Sequence, residues 1–163
     1  MSETPKAFVP LEVSQNEDPY AFMQRVFVYF LQSLFEHEEF QGTGMYWTPN
    51  EETTEMVISS EKPRVEVLEK TPHITVVLGT AQWSGLSIDQ MQSMSMRTGE
   101  RTHTDLVAMT VAYHCQAKEG NQARRMAWYS TYYTNMFRRM LMRQAKIHQI
   151  GSGHTISAES APS

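Results

Sequence analysis

Cysteine is nearly missing from this 163-residue chain: Cys115 stands alone. One thiol cannot close an internal disulfide, so a reducing compartment is the simpler expectation. Long hydrophobic runs are missing too. No stretch approaches the roughly 18 apolar residues needed to span a bilayer. The N-terminus, MSETPKAFVPLEV, lacks a basic segment followed by an apolar one, so it does not read as a signal peptide. A glycine-rich phosphate loop is absent, because Gly42-Thr-Gly44 is too short and precedes no apolar helix. No Gly-x-Ser-x-Gly elbow occurs. Acid runs out toward the C-terminus: from Gly120 onward Glu159 is the single acidic residue, against Arg124, Arg125, Arg138, Arg139, Arg143 and Lys146.

The chemistry-bearing residues do not converge. Histidines are scattered at 37, 73, 103, 114, 148 and 154. His114 and Cys115 are adjacent, but neighbours on a strand point to opposite faces and cannot readily share a metal. His37-Glu38-Glu39 ends a helix without the i, i+4 partner of a zinc helix. Cys115 has no nominated base and sits in an alternating stretch, as a small core residue does. These residues nominate no catalytic, metal or cofactor site and leave an enzyme unsupported.

Hydrophobic content of 40% and charged content of 20% supply a core. The net charge of −4 conceals a gradient. Residues 1–70 carry 13 Asp/Glu against 5 Lys/Arg, a balance of −8, and residues 71–163 carry 5 against 9, a balance of +4. One reading is a solvated basic helix face. The other is a molecule with opposite charges on different surfaces, able to match the next copy of itself.

Residues 1–16 hold two prolines without a period and read as an extended arm. Asp18-Pro19 is a helix start, with Asp as N-cap and Pro at the first helical position. Met23, Val26, Phe27, Phe30, Leu31 and Leu34 then predict an amphipathic helix from about Pro19 to Glu38, stopped by Gln41-Gly-Thr-Gly44. Strand candidates follow at 45–47, 56–59, 63–69 and 73–79, with a Ser-Gly turn signal inside 81–86. Residues 90–97 and 102–117, joined around Gly99, predict a long projecting β-hairpin flecked with methionine, a surface that needs a neighbour to cover it. After Gly120, with Asn121 as a plausible N-cap, Ala123, Met126, Ala127, Ser130, Phe137, Met140, Leu141 and Gln144 trace a helix reaching Lys146 to His148. The expected fold is α+β: one domain over 17–148, an antiparallel β-sheet with a long hairpin, packed on one face by an N-terminal and a C-terminal helix, then a flexible tail over 149–163.

Arg124 and Arg125 occupy the first turn of the last helix, where the helix dipole opposes them, so an external partner is indicated. The dipole favours Arg138, Arg139, Arg143 and Lys146 near the other end without one. Trp128, Tyr129, Tyr132 and Tyr133 interleave with the arginines. That mixture suits stacking on bases, and equally a protein interface. The acidic chain as a whole argues against a dedicated nucleic-acid binder.

The order of elements, with Pro72-His-Ile-Thr-Val-Val-Leu-Gly79, a long hairpin, Val111-Ala-Tyr-His-Cys-Gln-Ala-Lys-Glu-Gly120 and Gln122-Ala-Arg-Arg-Met-Ala-Trp128, resembles the tail-terminator and neck-connector proteins of tailed bacteriophages over residues 17–147. The resemblance implies a structural virion protein, not an enzyme and with no cofactor, assembled in the host cytoplasm. It implies a homo-oligomeric ring, commonly a hexamer, at the head-tail junction. Such a ring ends the tail tube, docks to the portal-side connector and passes genomic DNA through its lumen, with no membrane. It also implies that the 90–110 hairpin meets a neighbouring subunit or the tube. The candidate interface residues are Met94, Met96, Arg97, Arg101, Arg124, Arg125 and Trp128. The alternative is a small nucleic-acid-binding protein using the basic helix.

Overall fold

The computed structural model of the protein describes residues 18–61, 72–80, 82–84, 93–94, 101–102, 106–145, 147 and 149–151. The expected arm over 1–16, the strand at 63–69 and all of the tail beyond Gly151 lie outside the described residues. The elements, in order, are α1 (Pro19–Phe35), a 3-10 turn (Glu38–Phe40), β1 (Val57–Ser59), β2 (His73–Leu78), β3 (Gln82–Ser84), β4 (Ser93–Met94), β5 (Arg101–Thr102), β6 (Leu106–Ala108), β7 (Val111–Gln116) and α2 (Gly120–Gln144). The class is α+β. The chain forms two compact units, one from Met1–Val77 with Tyr113–Ser163 and one from Leu78–Ala112.

In the first unit α1 begins as its sequence dictates. Asp18 caps it, accepting from the Tyr20 N–H at 3.1 Å, and Pro19 stands where its missing N–H costs nothing. Phe22, Val26, Phe27, Phe30, Leu31 and Phe35 form its buried stripe. Each such side chain taken out of water contributes on the order of 2 kcal/mol. The helix stops at Phe35 rather than Glu38. The Glu36 N–H bonds back to the Gln32 carbonyl, and a 3-10 turn then swings Phe40 inward, its ring 4.9 Å from Phe35. A straight continuation of α1 would carry Phe40 away from that contact.

The three-stranded sheet has the order β1-β2-β7. It is mixed, not antiparallel: β1 and β2 run parallel, with Val57 opposite His73 and Ser59 opposite Thr75. Residues 60–72 supply the dozen or so that a parallel return needs. In β2, His73, Ile74, Thr75, Val76 and Leu78 are all buried, the near-continuous burial of a central strand covered on both faces. Two glutamines of α1 fasten the helix to strand carbonyls. Gln24 Nε2 donates to Val76 O at 2.8 Å and Ser60 O at 3.1 Å, and Gln32 Nε2 donates to Ile58 O at 3.3 Å. In β7 the alternation holds, with Tyr113 and Cys115 turned inward and His114 and Gln116 exposed. Tyr113 touches both helices: its ring meets Phe27 at 6.4 Å and its hydroxyl shares a 2.8 Å hydrogen bond with Thr134 Oγ1. Both helices therefore lie on one face of β7.

Residues 45–47 form no ladder among the described residues. Trp47 N–H bonds to Phe35 O, the Tyr46 carbonyl accepts from Glu55, and Met45 is buried, so local loop bonds satisfy this backbone instead. Asn121 is not the N-cap of α2. The cap is Glu119, whose carbonyl accepts from the Gln122 and Ala123 N–H groups, leaving Asn121 inside the first turn.

The described residues do not confirm the long hairpin. Within the expected strand 102–117, Met109 and Thr110 separate β6 from β7, and 103–105 lie outside the described residues. Among the described residues, Ser93–Met94 pairs antiparallel with Arg101–Thr102. Leu106–Ala108 pairs instead with β3, Trp83 opposite Val107. The longest part of this strand, β7, pairs with β2 in the three-stranded sheet. At the break, Thr110 O accepts from the Gly79 N–H at 2.7 Å. A Cβ on Gly79 would stand 3.3 Å from that of Thr110, which requires glycine or a shift there.

Candidate functional site

The long helix α2 carries the surface with most chemistry left over. Its inner side is closed by Met126, Ser130 and Leu141, all buried. Its outer side repeats at three to four residues: Arg124, Arg125, Trp128, Tyr132, Met136, Arg139 and Arg143 are exposed. At 3.6 residues per turn these occupy about 120° of the circumference, along about 30 Å of axis. Trp128, Tyr132 and Met136 are 50%, 48% and 61% exposed. They form an apolar centre between two arginine ends.

Aromatic stacking stiffens this face. Trp128 and Tyr132 lie 4.9 Å apart and 8° from parallel. Tyr132 meets Tyr133 edge-on at 5.3 Å, and Tyr133 stacks on Phe137 at 6.1 Å. Tyr129 joins Trp128 at 5.2 Å and the buried Phe40 at 5.5 Å. The exposed rings are thus anchored through half-buried ones to the core, so little rotamer freedom remains to be lost on binding. Burial raises the pKa of the Tyr133 hydroxyl, and the nearby Glu39 carboxylate raises it further.

Charge follows the same division. α2 contains five arginines and no acid. Among the described residues Arg124, Arg125, Arg138, Arg139 and Arg143 make no ion pair. With the cap at Glu119 rather than Asn121, Arg124 and Arg125 fall in the second turn of α2, past the free backbone N–H groups, so the dipole opposes them less than the sequence predicts.

Of the other expected interface residues, Met94 and Arg101 are brought directly opposite one another on β4 and β5. Met96 and Arg97 lie outside the described residues. Sequence reasoning missed Met136, though its spacing of four from Tyr132 and eight from Trp128 was a signal. It also missed Tyr29, 46% exposed on α1.

Two further sites can be weighed by geometry. Cys115 faces inward, and burial pushes its thiol pKa up to about 12, the reverse of an activated nucleophile. Ser59 begins a Ser-x-x-Lys spacing with Lys62, which lies outside the described residues. Ser59 Oγ is also 3.0 Å from His73 Nε2. However, the Ser59 hydroxyl donates to Glu61 O at 2.7 Å, so His73 Nε2 carries the proton and donates to Ser59. An imidazole so placed cannot take the serine's proton, and His73 is buried away from any substrate. Burial lowers the His73 pKa, against a smaller opposing effect of its hydrogen bond to the Glu61 backbone. Among the described residues no group of three His, Cys, Asp or Glu could hold a metal, and no helix is long and apolar enough to cross a membrane.

No family model, curated protein or solved structure matches this chain.

Proposed function

We propose that this chain is a structural assembly subunit whose contact face is the outer side of α2. In the setting implied by its resemblance to phage neck and tail-terminator proteins, it works as a ring at the head-tail junction of a virion. There it ends the tail tube and docks to the connector, with DNA passing through the centre. The observation that carries the reading is the exposed Trp128-Tyr132-Met136 stripe set between paired arginine ends. Tryptophan, tyrosine, methionine and arginine are the residues that protein interfaces favour, and a rigid aromatic centre inside a polar rim is how their binding energy is concentrated.

The test is the mass of the purified chain in solution by light scattering, with electron micrographs of the same sample. The expected result is a closed oligomer with an open centre that falls to monomer when Trp128→Asp is introduced. A wild-type chain that stays monomeric at high concentration, yet binds DNA with an affinity falling steeply as salt rises, overturns the reading in favour of nucleic-acid binding.

A further inference from the structure

Resting on the reading of α2 as an assembly face, we infer that its occupant is the acidic end of α1 from a second copy of this chain, presenting Tyr29, Glu36, Glu38 and Glu39.

Self-pairing of α2 is disfavoured by its own charges. Laid antiparallel on a copy of itself, α2 places Arg124 and Arg125 beside Arg139 and Arg143. Laid parallel, each arginine meets its own image. Neither arrangement gives the arginines an acid of α2, because α2 has none, and Glu39 of the same chain stands near Tyr133 at mid-helix rather than at the arginine ends. Like charges brought together as water is excluded cost several kcal/mol. The matching surface is therefore sought elsewhere on the chain, and where the contact is not reciprocated between the same two copies it is heterologous.

The described residues offer one such surface with both required features. Between residues 36 and 61 there are seven glutamates and no Lys or Arg. Glu36, Glu38 and Glu39 are exposed at the end of α1 and form no ion pair among the described residues. Tyr29 stands seven residues before Glu36, two helical turns back on the same side of α1. It is the one exposed large hydrophobic of the described residues outside α2. An aromatic followed by carboxylates thus complements a Trp-Tyr-Met centre ending in arginines. The 3-10 turn fixes the glutamates in place, because Phe40 beside them is wedged against Phe35 and Tyr129. A head-to-tail contact of this kind closes into a ring when the rotation between copies divides a full turn.

The experiment uses two charge-reversed full-length chains, Arg124→Glu/Arg125→Glu and Glu38→Arg/Glu39→Arg, with circular dichroism checking that each folds. All four positions are exposed, so folding is expected to survive. Each variant alone is expected to lose the oligomer, with association weakened at least about tenfold, about 1.4 kcal/mol. An equimolar mixture should recover the wild-type mass, since every contact then joins opposite charges, and so should a single chain carrying all four reversals. If Trp128→Asp dissociates the oligomer while the charge reversals leave it intact, or if reversal is not rescued by mixing, α2 remains the assembly face and the α1 end is not its occupant. If Trp128→Asp and both reversals all leave the oligomer unchanged, the reading of α2 falls with it.

Discussion

Gln122, in the first turn of α2, donates from its side-chain amide to the carbonyl of Gly44, 2.7 Å away and 78 residues earlier in the chain. The same glycine gives its N–H to the Glu55 carboxylate at 2.6 Å, and Gly42 gives its own at 2.7 Å. Both glycines have positive φ, 74° and 73°. One short turn is thus held from the Glu55 side and from the helix side at once.

This turn separates two similar substitutions. Gly42→Ala suffers only the backbone strain, because nothing stands within 4 Å of an added Cβ. It should cost about 1 kcal/mol. In Gly44→Ala the Cβ also arrives 2.5 Å from Gln122 Nε2, so the amide must leave its bond. A loss of about 2–3 kcal/mol is expected. Urea denaturation of the two variants checks the order, and equal losses would count against the Gln122 contact.

Glu55→Ala should be destabilising by about 2 kcal/mol, because it leaves two N–H groups without their charged acceptor. Glu55→Gln should lose less, since one amide oxygen still accepts. Thermal melts of the pair at matched pH give the comparison.

Cys115 should be silent toward thiol reagents in the native protein at pH 8, since burial holds its pKa far above that of a free thiol. Its labelling rate should rise in step with urea unfolding. Fast labelling without urea would mean that β7 is open to solvent.

His73 gives a pH dependence whose sign is fixed. Its folded pKa lies below the ordinary 6.5, so the native state holds the ring neutral. As pH falls through about 6.5 the unfolded chain takes up a proton that the native chain refuses, and stability declines from there until the lowered folded pKa is reached. Above that window His73 contributes no slope. His73→Gln should flatten the difference between urea midpoints at pH 7.5 and 5.5, and an unchanged difference would remove His73 as its source.

Ser130 is buried with no hydrogen-bond partner for its Oγ among the described residues, although its carbonyl accepts from Thr134. Ser130→Ala should be neutral or stabilising by up to about 1 kcal/mol. Leu141→Ala, one side chain along the same buried stripe, should lose about 2–5 kcal/mol. Denaturation midpoints distinguish these directions.

What could be read from the residues was what is decided locally. Asp18-Pro19 marked the start of α1, and Val26, Phe27, Phe30 and Leu31 marked its buried side, because cap and stripe involve neighbours within a few turns; Phe22 and Phe35 complete that side in place of the expected Met23 and Leu34, which are half-buried. The end of α1 was not readable, since it depends on Phe40 meeting Tyr129, 89 residues away. The parallel pairing of β1 with β2, and the choice of β3 by Leu106–Ala108, were hidden for the same reason: alternation tells which face a strand buries, not which strand it finds. On α2, Arg124 and Arg125 stood out because a helix capped at Asn121 would set its dipole against them, whereas the cap at Glu119 places them in the second turn. Met136 did not stand out, because a methionine at helical spacing is usually core.

The first unit is assembled from two lengths of chain separated by Leu78–Ala112. As the chain leaves the ribosome, α1, β1 and β2 emerge long before β7 and α2, whose Tyr113, Tyr129 and Phe137 cover them. Until those arrive, Phe27, Phe30 and Phe40 lack their covering rings, and the nascent half leaves apolar surface uncovered. On the reading proposed for α2, its contact face would be presented only after the rest of the first unit has emerged, so association would wait for that last helix.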